Sequence, residues 1–196
     1  GDRRSWLVLA GLTALAASQP LGCEQKGGGD SALGASLSAL LESAGPNVIV
    51  PALADAEAKA LALDEALARL EATLTAGDDP AADQLAAQEA WRAVMVRWQR
   101  VELMQLGPLG SSLTALGGED LRDEVYSWPS VNPCRVDQVT ADGSYADEAF
   151  FTESLVNTTG LDAIEHLLFA AAENACPAQV TPNADGAWEA LGADEV

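Results

Sequence analysis

The residues Gly160-Leu161-Asp162-Ala163-Ile164-Glu165-His166-Leu167-Leu168-Phe169 bring two carboxylates and the chain's only histidine close together in sequence. On a helix, with about 100° of turn per residue, Leu161, Ile164, Leu167 and Leu168 share one arc. Asp162, Glu165 and His166 fall on the opposite arc, within reach of one another at i, i+3 and i+4. Two carboxylates and an imidazole offer oxygen and nitrogen donors to a metal ion. The plainer reading is that acids in a first turn suit the helix dipole, and that a lone histidine is a surface or satisfied core residue.

A second stripe comprises Trp91, Met95, Trp98, Glu102 and Gln105, stepping by four, three, four and three. That spacing puts them on one helix face, where two tryptophans belong in a core and carry Glu102 and Gln105 inward. A carboxylate taken out of water must be paired, protonated or bound to a cation. Arg92, Arg97 and Arg100 are the nearby bases that could pair with Glu102, which leaves a structural salt bridge as the alternative to a ligand role.

The elements positioning these residues are helical. Apolar residues make up 48% of the chain but aromatics only 5%, with alanine and leucine dominant, a mixture that favours helix over strand. We expect an all-α fold, an up-down four-helix-bundle-like arrangement with a loop-rich middle. In the first long helix, 47–76, Leu53, Ala56, Ala60, Leu63, Leu67, Leu70 and Leu74 form an apolar stripe, with Pro51 in its first turn. Gly77-Asp78-Asp79-Pro80 ends it and starts a second helix over 80–106, Asp79 capping and Gly107-Pro108 stopping it. Two long amphipathic helices on a short link predict an antiparallel hairpin. Between 109 and 156, Gly117-Gly118, Pro129, Pro133 and Gly143 break the chain, leaving short helices expected near 111–116, 119–127 and 146–156. A third strong helix is expected over 160–173, and 187–196 reads as the opening of another.

The charge balance, 30 acids against 10 bases for a net −20, excludes nucleic acid as a partner, because no basic face is available to neutralise phosphate. At the N-terminus, Arg3 and Arg4 precede an apolar stretch from Trp6 to Ala17 and then Pro20-Leu21-Gly22-Cys23. A basic start, a short apolar run and small residues describe an export signal over 1–22 rather than a membrane span, which needs about 20 apolar residues. Leu-Gly-Cys resembles a bacterial lipobox with Cys23 as the lipidated residue, although Pro20 stands where leucine is usual; an ordinary signal peptide is the alternative. A glycine-rich, flexible tether would follow over 23–45. Export would place Cys134 and Cys176 in an oxidising compartment, which predicts a disulfide between them. Each sits beside a proline, Pro133 and Pro177, which suggests ordered loops, and no C-x-x-C pair favours a thiolate metal site instead.

Taken together, Val48-Ile49-Val50-Pro51, Ala90-Trp91-Arg92 through Trp98-Gln99-Arg100-Val101-Glu102 to Gly107-Pro108, Ser127-Trp128-Pro129, and Gly160 to Phe169 resemble the imelysin family, peptidase family M75, in the family's order. The resemblance implies an all-α fold of two bundle-like halves with a site near their junction, and on it the domain over 46–196 is expected to be truncated at its C-terminus. It implies an exported, often lipid-anchored protein of the cell envelope, tied to iron uptake, with the membrane and other envelope iron-uptake proteins as partners. The family's G-x-H-x-x-E motif is matched here by Gly160 and Glu165, whereas Asp162 stands at the histidine position. Aspartate can still ligate a hard cation, so Glu102, Asp162, Glu165 and His166 are the expected metal residues, with iron favoured over zinc or calcium. His166 lies one residue past the motif and about 100° from Glu165, so it does not simply replace the missing histidine. A metal-dependent peptidase is the second reading, weakened by the lack of H-E-x-x-H. A non-catalytic envelope interaction module is the third.

Overall fold

The computed structural model describes residues 28–170 and 173–191. The expected export signal, Cys23 and the first residues of the tether lie outside the described residues. Among the described residues there is no β-strand, and the fold is all-α.

The chain divides into two compact units, Gly1–Leu40 and Leu41–Val196. The described part of the first, 28–40, lies wholly within helix α1 (Gly28–Ala44), which corrects the expectation of a flexible tether through 45. Beyond Asp30 this segment is alanine, leucine and serine with one interior glycine, Gly34, a composition that permits helix once it has started. Leu33, Leu37 and Leu40 of α1 are exposed. A π-turn, Gly45–Ile49, leads into α2 (Val50–Ala76). Pro46 and Pro51 each lack the N–H that an unbroken α-helix would use, and the wider i→i+5 turn lies where that ladder is interrupted. By length and composition the helical run Ala32–Ala76 could cross a membrane. Its C-terminal part, however, places Leu63 and Ala66 in the protein core.

Gly77, in the left-handed conformation at φ 70°, ends α2 as the sequence predicts. The Asp79 carboxylate accepts from the Ala81 N–H at 3.1 Å, at the start of α3 (Ala81–Val101). α2 and α3 form the extensive hairpin contact of the molecule. Trp91, Met95 and Trp98 are buried in it, as their spacing demands. Helix α3 stops at Val101 rather than near 106, so the inward stripe ends at Glu102 and Gln105 is exposed. This corrects the expected burial of Gln105: once the chain leaves the helix, the four-three spacing no longer fixes a face.

The middle region is irregular but hydrogen-bonded. Residues 111–116 form turns instead of a helix, held by Asp120, which accepts from the Ser112 N–H at 2.9 Å and from its hydroxyl. The expected segments near 119–127 and 146–156 shorten to α4 (Leu121–Val125) and α6 (Phe150–Glu153). A helix the sequence reading leaves as loop, α5 (Pro133–Asp142), contains Cys134. Asn132 caps it by accepting from the Arg135 N–H at 3.1 Å, Pro133 occupies the first turn, and Gly143 ends it at φ 71°. The expected Cys134–Cys176 disulfide is present and joins α5 to the segment after the third strong helix, across a sequence separation of 42.

That third helix, α7 (Gly160–Phe169), ends four residues before the expected boundary, and α8 (Ala187–Ala190) is a single turn. α7 is central, touching α3, α4 and α5. It is pinned to α3 by two side chains: Trp91 Nε1–H donates to the Leu161 carbonyl at 2.8 Å, and Gln88 Nε2–H donates to the Leu168 carbonyl at 2.7 Å. Phe169 packs edge-on to Trp91, with ring centroids 5.3 Å apart, and Arg92 stacks over Phe169.

Candidate functional site

The motif begins with Gly160, and the backbone requires it. Its φ is +81°, and an added Cβ would sit 2.8 Å from the Val125 carbonyl oxygen. A side chain there would meet both left-handed strain and a rigid backbone. The close approach brings the start of α7 against the end of α4, and so against Tyr126 and Ser127.

Asp162 is 2% exposed. The Ser127 hydroxyl donates to its Oδ2 at 2.5 Å, while Oδ1 is buried with no hydrogen-bond partner among the described residues. Glu165, one turn on and half-buried, has its pKa raised above the ordinary 4.5, by burial first and by the Asp162 charge second. The Tyr126 phenol is raised above its ordinary 10.0, by burial first and then by the charges of Glu165, Asp162 and Glu102. Three carboxylates therefore act on one half-buried tyrosine.

The other two expected metal residues are engaged elsewhere. Glu102 caps the end of α3, and its carboxylate lies 3.6 Å from the Arg122 guanidinium. Its partner is thus a base on α4, not Arg92, Arg97 or Arg100. His166 points to α5, where its Nε2–H donates to Asp137 Oδ1 at 2.7 Å. The other oxygen of Asp137 accepts from the Ala175 N–H at 2.6 Å, beside the disulfide cysteine Cys176. Asp137 is itself 2% exposed. The helical turn between residues 165 and 166 separates the two sides, and a buried carboxylate on the far side captures the imidazole.

Among the described residues, no group of three or more His, Cys, Asp or Glu side chains lies close enough together to hold a metal ion. Glu102, Asp162, Glu165 and His166 therefore do not form one ligand set among the described residues. Asp162 and Glu165 fit a hard cation by their oxygen chemistry, and the orphaned Oδ1 is the kind of group a cation would satisfy. Glu102 and His166 do not fit that role in this geometry.

Residues 49–187 match the peptidase M75 (imelysin) family, more than half of the chain. The chain belongs to the imelysin family. No curated protein and no solved structure matches it. The imelysin match spans α2 through the start of α8 and includes both buried aspartates. Within it, sequence reasoning missed Asp137, Ser127 and Tyr126. Asp137 could have been found from the helix signals around it, Asn132-Pro133 at the start and Gly143 at the end. Ser127 and Tyr126 carry no local signal; only the fold brings them to α7.

Proposed function

We propose that this imelysin-family chain is an exported, envelope-anchored protein that holds a hard cation, iron in preference to zinc or calcium, as cargo for uptake. The observation that carries the reading is Asp162 Oδ1, a buried carboxylate oxygen without a hydrogen-bond partner among the described residues, next to a second carboxylate whose proton affinity is already raised. A cation held between Asp162 and Glu165 would offset the repulsion that raises the Glu165 pKa and complete the coordination of Oδ1. Oxygen donors suit a hard ion, and water would supply the remaining positions. Glu102 adds negative potential without ligating, because Arg122 holds it. Export and anchoring are supported by the signal-like 1–22 segment and Cys23, and the inferred partners are envelope iron-uptake proteins. No observation favours the peptidase reading: aspartate replaces the family's histidine, and His166 is committed to Asp137.

Equilibrium dialysis at pH 7 against ferric citrate, Fe²⁺, Ca²⁺ and Zn²⁺, followed by elemental analysis, tests this reading. The expected result is stoichiometric iron that is absent from an Asp162→Ala, Glu165→Ala variant. Retention should weaken as pH falls through the raised Glu165 range, because the proton and the cation compete. Equal retention by the folded double variant, or none by the folded chain, would reject the site.

A further inference from the structure

A cavity of about 800 Å³ opens on the α5 side of α7, and neither Asp162 nor Glu165 lines it. Its floor is apolar and buried: Val136 and Val139 of α5, and Leu161 and Ala163 of α7. Its aromatic side is Tyr145, Phe150 and Phe151, with Phe150 and Phe151 edge-to-face at 5.0 Å. Phe151 is 71% exposed and Leu167 is 54% exposed, so two large apolar side chains border the cavity in contact with water. The volume lies in the range of about 300–1,000 Å³ in which small-molecule sites fall.

The polar groups specify what kind of molecule fits. Glu124 is the single charged side chain in the lining, and no lysine, arginine or histidine joins it. It forms no ion pair among the described residues. Thr140 and Thr158 also line the cavity, but their hydroxyl protons are committed to the carbonyls of Val136 and Leu155, leaving them only as acceptors; the hydroxyl-bearing Thr159 and Tyr145 are the further polar residues of the lining, and both are neutral. An anionic amphiphile would meet a carboxylate and no cation. A positively charged group is attracted by that carboxylate and by the aromatic side chains of the lining.

We propose that this cavity binds an organic cation with an apolar body, an alkyl- or arylammonium, with the body against Val136, Val139 and Leu161 and the charge toward Glu124. The inference is independent of the cation proposed at Asp162, since it uses a different side of α7.

Calorimetric titration of the chain with decyltrimethylammonium, decan-1-ol and decanoate, all below their micelle concentrations, tests it. The ammonium ion should bind most tightly and decanoate least. Glu124→Gln, at an exposed position, should lower the preference for the ammonium over the alcohol about five-fold, as expected for one lost ion contact of roughly 1 kcal/mol. Alcohol binding should stay unchanged. Leu167→Trp should weaken all three ligands by narrowing the opening. An ammonium preference undiminished by Glu124→Gln would trace to the net charge of the whole chain and overturn the site. Decanoate binding as well as the cation, or no binding by any of the three, would also overturn it. So would a self-associated chain that Leu167→Trp renders monomeric, because a second copy would then be the occupant.

Discussion

Asp137 and Asp162 are each 2% exposed, yet they occupy opposite kinds of environment. Asp137 has both oxygens satisfied, one by His166 and one by the Ala175 N–H, and the Cys134–Cys176 disulfide ties the same two segments together. Asp162 has one oxygen satisfied by Ser127 and one without a hydrogen-bond partner among the described residues, with Glu165 adding like charge beside it. A buried carboxylate with every lone pair engaged holds a fold together. One with an unmet acceptor is a burden on the fold that a ligand can relieve. The comparison teaches that equal burial can hide opposite degrees of satisfaction, and the proposed cation role rests on that difference rather than on burial alone.

The largest effect should come from breaking the satisfied side. Asp137→Ala removes one partner of a buried pair and strands the Ala175 N–H, which should destabilise the fold by about 3–5 kcal/mol in urea unfolding. Replacing Cys134 and Cys176 by serine should cost about 4 kcal/mol from loop closure over the separation of 42 residues. A loss in both variants below 1 kcal/mol would break the contrast between the two sides.

Next in size is Gly160→Ala. Its positive φ and the 2.8 Å approach to the Val125 carbonyl predict a loss of about 2–3 kcal/mol and displacement of α7 from Ser127. Unchanged stability in thermal unfolding would show that the α4–α7 contact is looser than described.

On the unsatisfied side, Asp162→Asn should shift stability by no more than about 1 kcal/mol, because it removes an unpaired charge while keeping an acceptor for Ser127. The smallest effect belongs to Glu165. Its folded-state pKa is raised, so the stability it contributes is fully present below the ordinary carboxylate range and is lost as pH rises through the raised value. Glu165→Gln should therefore gain stability at neutral pH, by only a few tenths of a kcal/mol, since the half-buried group is still screened by solvent. Unfolding curves of both chains between pH 4 and 8 should converge at the acid end; parallel curves would contradict the raised pKa.

Much of the scaffold was legible because it rests on periodicity and on strong stop signals. Trp91, Met95 and Trp98 are buried as their steps of four and three require, and Gly77 and Asp79 mark the hairpin turn as their types predict. The end of α3 was not legible, because no proline or glycine stands at Val101; Gly107-Pro108, which looked like the stop, comes six residues later. Helix α5 was obscured because Pro133 read as a breaker rather than a first-turn residue, and because Asp137 and Thr140 interrupt its apolar pattern. For the site, the trio on α7 was found, but helix geometry alone could not say that a partner on α5 takes His166 away. Nor does the shared arc of Leu161, Leu167 and Leu168 say which of them is covered: Leu161 and Leu168 are buried, while Leu167 is exposed at the edge of the cavity.

The most direct test of the contrast is a calorimetric titration with ferric citrate of three chains, the natural sequence, Asp162→Asn and Asp137→Asn, each verified as folded by circular dichroism. The account predicts stoichiometric binding by the natural chain and by Asp137→Asn, and none by Asp162→Asn. Binding by Asp162→Asn equal to that of the natural chain would contradict it, as would loss of binding in a folded Asp137→Asn chain.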